Sequence, residues 1–231
     1  GAFVLQIVNA YDEKSGDVIV DCIQMSGMPL GSIAEGKDWK GSFDFQEDIP
    51  MAQLVRWTLK PGSQKATQEV IDPRFQLFPN VNGFVNTVRH RFVYSAAAAV
   101  DGVSAPPQVV RKWDMESREF KEYKYQEGEF CGEPIYVPRS EGQSEDDGYI
   151  LTQVFDSTKE ETRLEILDAL KVESGPVCQI RLQQSIPLGL YGCWADGIVP
   201  TDDDVKKGKL AAAFQEKSWN EVGGGLSLIG I

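Results

Sequence analysis

Histidine is almost absent from this sequence, because His90 is the single histidine in 231 residues. A mechanism that needs several imidazoles, as metal ligands or as acid–base groups, therefore cannot operate on these residues alone. Cysteine is sparse and never occurs as a C-x-x-C pair, which favours reduced, mostly buried thiols over a disulfide framework. The four cysteines are Cys22, Cys131, Cys178 and Cys193.

Long hydrophobic runs and an excess of positive charge are both missing. The longest apolar run, residues 92–100, falls well short of the roughly 18 residues that a membrane-spanning helix needs, so no membrane span is predicted. Lys and Arg number 23 against 35 Asp and Glu, a formal net charge of −12, which weighs against nucleic acid as a partner. The sequence also lacks the G-x-S-x-G, P-loop and G-x-G-x-x-G motifs.

Short segments rich in β-forming residues alternate with turn signals along most of the chain. This pattern predicts about a dozen strands and an all-β fold, either a sandwich or a propeller. In the segment 53–60, we expect Leu54, Trp57 and Leu59 to point inward. The predicted strands are residues 3–10, 18–24, 53–60, 67–71, 74–78, 91–97, 109–114, 119–125, 134–137, 149–155, 163–167 and 178–182.

The end of the chain differs from the rest. Thr201 is a suitable N-cap, and good helix formers follow it, so we predict a helix over about residues 203–217. Three glycines then lead into an apolar tail that is too short to build a core, and we expect this tail to contact a partner. Its apolar residues are Leu226, Leu228, Ile229 and Ile231. We therefore divide the chain into residues 1–197 and a C-terminal extension, residues 198–231.

Six short motifs occur in a fixed order. They are V-N-A-Y-D-E at 8–13, F-P-N-V-N at 78–82, C-G-E-P-I-Y-V-P at 131–138, E-D-D-G at 145–148, L-E-I-L-D-A at 164–169 and P-L-G-L-Y-G at 187–192. Together they resemble the carotenoid cleavage oxygenase family, which includes the retinoid isomerase of the eye. The resemblance covers about residues 1–194, and six matches in order are far more specific than any single one.

This resemblance implies a seven-bladed β-propeller, of which the chain is roughly the C-terminal half, followed by a short helical extension. The N-terminal half of the propeller would then be its first partner. Family members hold Fe(II) with four histidines, which three glutamates orient, and a hydrophobic tunnel takes the polyene substrate.

At the family's metal site, the resemblance implies that three of the four positions in this chain have changed. Gln6 and Tyr191 stand where two histidine ligands are expected, and Leu77 replaces a glutamate that would orient the first. Glu133 retains the other glutamate. We expect it to bond the Tyr191 hydroxyl inside the propeller, the alternative being a solvated position in a loop. An amide and a phenol are poor substitutes for imidazole at ferrous iron.

The leading hypothesis is therefore a catalytically inactive relative, kept as a structural or carotenoid-binding subunit. The family's substrates suggest a pigment-containing photosynthetic complex with other protein subunits, in a plastid. No cofactor is then expected in this chain, although a carotenoid could bind. The first alternative is an active non-haem iron dioxygenase with a remodelled Fe(II) site, which cleaves carotenoids or apocarotenoids. The second is a carotenoid carrier that kept the tunnel without the metal.

The remaining chemistry-bearing residues favour structural roles. His90 lies between two arginines and is predicted at the surface or rim. The acidic residues 145–147 are predicted to form a turn and not a metal site. The tryptophans are expected to pack between strands rather than to serve as a platform for a polyene. They are Trp57, Trp113 and Trp194.

Overall fold

The computed structural model describes residues 2–28, 44–182 and 185–195. These residues contain thirteen β-strands, one short helix, α1 (Phe45–Asp48), and 3₁₀ turns at Gly83–Val85 and Val172–Ser174. The strands are β1 (Phe3–Asp12), β2 (Val18–Met25), β3 (Ala52–Leu59), β4 (Ala66–Asp72), β5 (Gln76–Asn80), β6 (Phe92–Ala97), β7 (Val109–Asp114), β8 (Glu119–Lys124), β9 (Glu129–Cys131), β10 (Ile135–Pro138), β11 (Gly148–Asp156), β12 (Glu161–Asp168) and β13 (Pro176–Arg181).

The strands form three antiparallel sheets, each built from strands that follow one another in the chain. The first sheet has the order β1-β2-β3-β4 and the second the order β5-β6-β7-β8. The third has the order β10-β11-β12-β13, and β9 also pairs with β11. Successive four-stranded meanders are the repeating unit of a β-propeller. The all-β prediction is confirmed, and each of the twelve predicted strands is present with ends that differ by at most a few residues.

One strand was missed, and two expectations on inward-pointing residues were wrong. The sequence did not reveal β9, because three residues are too few to show alternation. Leu59 was expected to point inward but is 43% exposed, since it is the last residue of β3. Trp194 was expected to pack between strands but is 52% exposed.

Several expectations fall on residues 196–231, which lie outside the described residues. They are the helix over 203–217, the boundary between 197 and 198, and the apolar tail with Leu226, Leu228, Ile229 and Ile231. By its internal contacts the chain divides into two units, Gly1–Gly192 and Cys193–Ile231. In the part of the chain that the structure describes, no helix is long and apolar enough to cross a membrane.

The hydrophobic core lies between neighbouring sheets. One buried cluster joins the first and second sheets through residues such as Leu54, Phe75 and Trp113. A second joins the second and third sheets through residues such as Tyr94 and Ile150. Burying one such side chain contributes about 1.5–3 kcal/mol, so these contacts hold the sheets face to face. Trp113 packs as predicted and also stacks on Phe120, with ring centroids 5.6 Å apart.

The cysteines are free, and only half of them are buried. Cys22 and Cys131 are buried, whereas Cys178 and Cys193 are exposed, so the expectation of mostly buried thiols holds for two of the four. Burial raises the pKa of the Cys22 thiol to about 11 and that of Cys131 to about 12. Both buried thiols are therefore protonated and unreactive at neutral pH.

The acidic residues 145–147 form a turn that fastens the second sheet to the third. The Glu145 carboxylate accepts the backbone N–H groups of Arg91 and Phe92 at 2.8–3.0 Å. Asp146 pairs with Lys112 at 2.5 Å. Asp147 pairs with Arg139 at 2.6 Å. Since each carboxylate is engaged by the protein itself, the prediction of a structural turn is confirmed.

Candidate functional site

Gln6 occupies the centre of the candidate site, on the first strand of the first sheet. The β1–β2 register shifts twice, between Val4 and Gln6 and again between Ile7 and Asn9. These bulges re-aim the side chains that lie between and beside them, so Gln6 is buried, at 8% exposure. Its side-chain oxygen Oε1 accepts the backbone N–H of Phe78 at 2.8 Å. Its side-chain nitrogen Nε2 donates to the Tyr191 hydroxyl at 3.4 Å.

Phe78 can supply that N–H because the backbone of β5 is irregular there. The β5–β6 pairing shifts register between Leu77 and Asn80, which frees the intervening backbone groups from the ladder. Phe78 has φ of 55°, the left-handed region that residues other than glycine seldom adopt. The preceding residue, Leu77, packs against the core between the first and second sheets. Gln6 thus accepts a hydrogen bond from a backbone amide next to Leu77, whose side chain has no polar atom.

Tyr191 and Glu133 also lie at the site, but their hydrogen bonds differ from those that the sequence suggested. The expected bond between Glu133 and the Tyr191 hydroxyl is not formed among the described residues, where the hydroxyl's side-chain partner is Gln6. Glu133 lies in the loop between β9 and β10, as the alternative had it, and is half-buried there. Its Oε2 accepts the backbone N–H of Gly192 at 2.5 Å. Tyr191 has φ of 59°, and this turn in the backbone presents the next amide to the carboxylate.

The neighbourhood of Glu133 is tightly packed. A Cβ at Gly192 would lie 2.8 Å from Ile135 Cδ1, so a larger residue there would have to displace the end of that side chain. Burial raises the pKa of the Glu133 carboxyl above its usual value, and the bond from Gly192 partly opposes that shift. Tyr191 itself is 67% exposed.

These residues do not fit a ferrous iron centre. The donor set consists of one amide, one phenol and one carboxylate, and the amide oxygen already accepts a hydrogen bond from Phe78. Leu77 cannot accept an N–H from any ligand. Across the described ranges 2–28, 44–182 and 185–195, no group of three or more His, Cys, Asp or Glu residues could hold a metal ion. The arrangement is instead a hydrogen-bonding site between two sheets.

His90 is the residue that the sequence placed wrongly, since it is buried at 3% exposure and not at the rim. Its Nδ1 lies 3.2 Å from the side-chain nitrogen of Asn9. That nitrogen also donates to the carbonyls of Val85 and Val88, both at 2.9 Å. Asn9 Oδ1 accepts the backbone N–H of Thr87 at 2.9 Å. Asn9 therefore cannot turn its amide round, and its NH₂ group, whose two hydrogens are shared among three acceptors, favours an unprotonated Nδ1 on the imidazole.

The other face of His90 meets a buried ion pair. Nε2 lies 3.3 Å from the Asp21 carboxylate, without the geometry of a hydrogen bond. Asp21 is itself held by Arg56 through two bonds of 2.8 Å. Burial lowers the pKa of His90, Asp21 opposes this shift and Arg56 adds to it. The imidazole is therefore a neutral link between the first sheet and the segment 82–91. The N-A-Y motif at 9–11 was the feature of the sequence that could have indicated this buried position, because Asn9 bonds the segment that carries His90.

Comparison with known proteins places the chain in a family. It matches the family model described as retinal pigment epithelial membrane protein over residues 1–196. The apocarotenoid-15,15'-oxygenase of Synechocystis sp. is 31% identical over 193 residues, covering 84% of this chain and 38% of the relative. The carotenoid cleavage oxygenase of Mycobacterium tuberculosis is 27% identical over 201 residues, again covering 84% of this chain and 38% of the relative.

The solved structure of the cobalt-substituted Synechocystis apocarotenoid oxygenase agrees with this match. Its TM-score is 0.77 at 31% identity, covering 84% of this chain and 39% of that chain. The chain therefore spans about two fifths of these relatives. The likeness confirms that the three sheets belong to a β-propeller, while its seven blades stay a prediction. From the family match and the shared fold, the chain belongs to the retinal pigment epithelial membrane protein family, the family of the carotenoid cleavage oxygenases.

Proposed function

We propose that this chain belongs to a carotenoid-oxygenase-like protein that does not perform iron-dependent cleavage and acts as a structural or carotenoid-binding subunit. The proposal rests on the two hydrogen bonds that the Gln6 side chain makes. Its oxygen accepts from Phe78 at 2.8 Å and its nitrogen donates toward Tyr191, so the side chain serves a bond between sheets.

The chemistry of the substituted positions supports this proposal. Ferrous iron in proteins favours imidazole nitrogen, and each histidine ligand needs a partner that accepts its second N–H. Gln6 and Tyr191 supply no imidazole, and Leu77 supplies no acceptor. Loss of such an acceptor alone lowers metal affinity by about 10- to 100-fold. Two lost ligands and one lost acceptor together mean that these residues would contribute little to any iron site.

The carotenoid-binding part of the proposal rests on the similarity of this chain to its relatives. The relatives named above are carotenoid and apocarotenoid oxygenases, and this chain keeps their blades over 84% of its length. A protein that binds a polyene, or that supports neighbouring subunits, needs the fold but not the metal-ligating histidines. This chain shows that combination. A photosynthetic complex and a plastid are settings that only the resemblance suggests, and both stay proposals.

Metal analysis tests the proposal directly. The protein is purified with added Fe(II), desalted under anaerobic conditions and measured for iron and for oxygen uptake with an apocarotenoid. We expect iron well below stoichiometric and no oxygen uptake. Stoichiometric iron together with oxygen uptake would overturn the proposal in favour of the active dioxygenase. Visible absorption of the same sample reports a bound polyene and so separates a carotenoid-binding role from a purely structural one.

A further inference from the structure

A polar cleft of about 240 Å³ lies on the third sheet, beside its last strand, β13. Its walls come from β8, from the turn before β9, from the hairpin between β11 and β12, and from β13 itself. None of the residues of the candidate site described above lines this cleft. A ligand bound here would therefore serve a role separate from that of Gln6 and its neighbours.

Two side chains of the cleft are held in place by Glu165, a fully buried carboxylate. Its Oε1 accepts from Arg163 Nε at 2.6 Å and from Gln179 Nε2 at 2.8 Å. Its Oε2 accepts from the hydroxyl of the buried Tyr125 at 2.9 Å. Because both oxygens of this carboxylate are bonded, it fixes Arg163 and Gln179 in the cleft wall before any ligand arrives.

Most acidic groups of the cleft are engaged within the chain. Glu129 Oε1 pairs with Arg163 Nη2 at 2.8 Å, and its Oε2 accepts a backbone N–H at 3.0 Å. Asp156 Oδ2 pairs with Lys159 at 2.5 Å, and its Oδ1 accepts a backbone N–H at 3.0 Å. Glu161 also lines the cleft, and it makes no side-chain bond within the part of the chain that the structure describes.

Arg163 and Arg181 face each other across β12 and β13. The Leu182 N–H donates to the Thr162 carbonyl at 3.0 Å, so the ladder bonds fall on that pair and the two arginines form a non-hydrogen-bonded pair. Side chains approach most closely in such a pair, and like charges opposite each other are destabilising. Two carboxylates compensate Arg163, but Arg181 makes no ion pair or side-chain hydrogen bond with any described residue.

We infer that the cleft binds the carboxylate of a small organic acid, with Arg181 as its main partner. Arg163 supplies a second donor, because its Nη1 makes no hydrogen bond among residues 2–28, 44–182 and 185–195. A carboxylate that accepts from both guanidinium groups would relieve their mutual repulsion. The ring of Tyr123, in the same wall, offers apolar surface to the organic part of the molecule.

The charges of the cleft favour a single negative charge on the ligand. The ion pairs of Glu129 and Asp156 cancel within the lining, which leaves Arg181 together with Glu161. A phosphate monoester carries up to about two negative charges at neutral pH, so it would be repelled more strongly by Glu161 and by a chain of net charge −12. A neutral molecule would leave the repulsion between the two arginines in place. The inference involves neither iron nor a carotenoid, so it goes beyond the proposed function.

The experiment compares three probes that share one ring: benzoate, phenyl phosphate and benzamide, the neutral counterpart of benzoate. Ligand-observed NMR titrations of the full protein at low ionic strength measure their affinities. The test variant is Arg181→Gln. Arg118→Gln is the matched control, because it removes one positive charge from an exposed pair with Glu69 and changes the net charge equally. Circular dichroism checks that both variants fold.

We expect benzoate to bind more tightly than phenyl phosphate, and benzamide to bind most weakly. Arg181→Gln should weaken benzoate binding about ten-fold or more, because it removes a charge-assisted hydrogen bond. Arg118→Gln should change the affinity less than about two-fold, since its charge is exposed and screened. Glu161→Gln should tighten benzoate binding about three-fold by removing a like charge from the cleft.

Several outcomes would overturn the inference. Benzamide bound as tightly as benzoate would show that the cleft does not recognise the charge. Equal losses in Arg181→Gln and Arg118→Gln would reduce the effect to net charge. Stronger binding of phenyl phosphate, or no binding of benzoate up to about 10 mM, would contradict the proposed class of ligand. Iron content and oxygen uptake test the proposed function separately, so the two proposals fail independently.

Discussion

The backbone N–H of Phe78 donates to the side-chain oxygen of Gln6 at 2.8 Å, and this bond joins the second sheet to the first. Both partners sit at irregularities, a double bulge in β1 and a left-handed residue in β5. Two departures from ideal strand geometry thus meet in one contact. Glutamine suits this position because it offers an acceptor to the amide and a donor to the opposite side.

Removing this acceptor should destabilise the protein. Gln6→Leu leaves the Phe78 N–H in a largely buried place without a partner, which should lower the free energy of unfolding by about 1–3 kcal/mol. Gln53→Leu is the matched control, because Gln53 donates to the Pro73 carbonyl in an exposed setting and should cost less than about 0.5 kcal/mol. Urea denaturation measures both, and equal losses would show that the Phe78 bond contributes nothing of its own.

Acid should weaken the protein through His90. Its pKa is lowered in the fold, chiefly by burial, so the folded state binds fewer protons than the unfolded chain just below about pH 6.5. Stability contributed by the neutral imidazole is therefore present above about pH 6.5 and lost as the pH falls toward the folded pKa. Protonation of Nδ1 would also set an N–H against the fixed Asn9 amide.

Other groups change the unfolding free energy in the opposite direction as the pH falls. The effect of His90 is therefore measured as the difference between the parent protein and a variant without this histidine. Burial raises the pKa of Glu133 and of Glu145, which favours the folded state as the pH falls toward their range. His90→Gln keeps a neutral acceptor near Asn9 and cannot titrate. Between about pH 7.5 and about pH 5.5, the parent protein should lose more unfolding free energy than this variant. Identical pH profiles would mean that His90 is not the responsible group.

A buried ion pair between sheets should matter far more than an exposed one. Arg111 is 1% exposed, and it bonds Asp72 of the first sheet at 2.5 Å and Glu122 of its own sheet at 2.6 Å. Asp72→Ala leaves a buried guanidinium short of a partner and should cost about 3–5 kcal/mol. Glu69→Ala removes one side of the exposed pair with Arg118 and should cost less than about 1 kcal/mol. Similar losses of thermal stability would refute the distinction.

Gly148, which ends the acidic turn, should resist substitution. An added Cβ would lie 2.4 Å from the Val137 carbonyl oxygen and 2.7 Å from the Tyr136 ring, so Gly148→Ala must displace backbone or a packed ring. We expect a loss of about 3 kcal/mol or more, or failure to fold. Gly83→Ala is the control, because an added Cβ there meets nothing within 4 Å. A stable Gly148→Ala protein would show that the third sheet adjusts more easily than this packing suggests.

Sequence reasoning reached the strands but not the contacts of the site, for physical reasons. Short runs of β-forming residues bounded by turn signals predict strands, and this identified β7 over Val109–Asp114 with both ends correct. The bulges in β1 depend on pairing with β2 and leave no mark in the local pattern. The burial of His90 depends on Asn9, 81 positions away. Neighbouring arginines suggested a solvated place, yet Arg89 and Arg91 point their charges to Glu13 and Asp114.

Restoring iron binding should need several changes together. Gln6→His returns one imidazole, but it removes the acceptor of the Phe78 N–H, and Leu77 offers nothing to the new ring. Tyr191→His lies beside Glu133, whose Oε1 makes no hydrogen bond among the described residues and can accept the second N–H of the ring. The second variant should therefore bind iron more tightly than the first. Both remain weaker than the triple variant that adds Leu77→Glu.

The expected order of iron affinity in the full protein is the parent lowest, then Gln6→His, then Tyr191→His, then the triple variant. The resemblance assigns the other two histidine ligands to positions outside this chain, so only the full protein can test the order. Leu77→Glu alone is the control: it places a carboxylate where Leu77 packs against the core, and should lower stability without adding iron. Metal analysis and urea denaturation of the five proteins measure both effects. An unmodified protein that already holds stoichiometric iron, or a Gln6→His variant that outranks Tyr191→His, would show that Leu77 and Glu133 do not govern these positions.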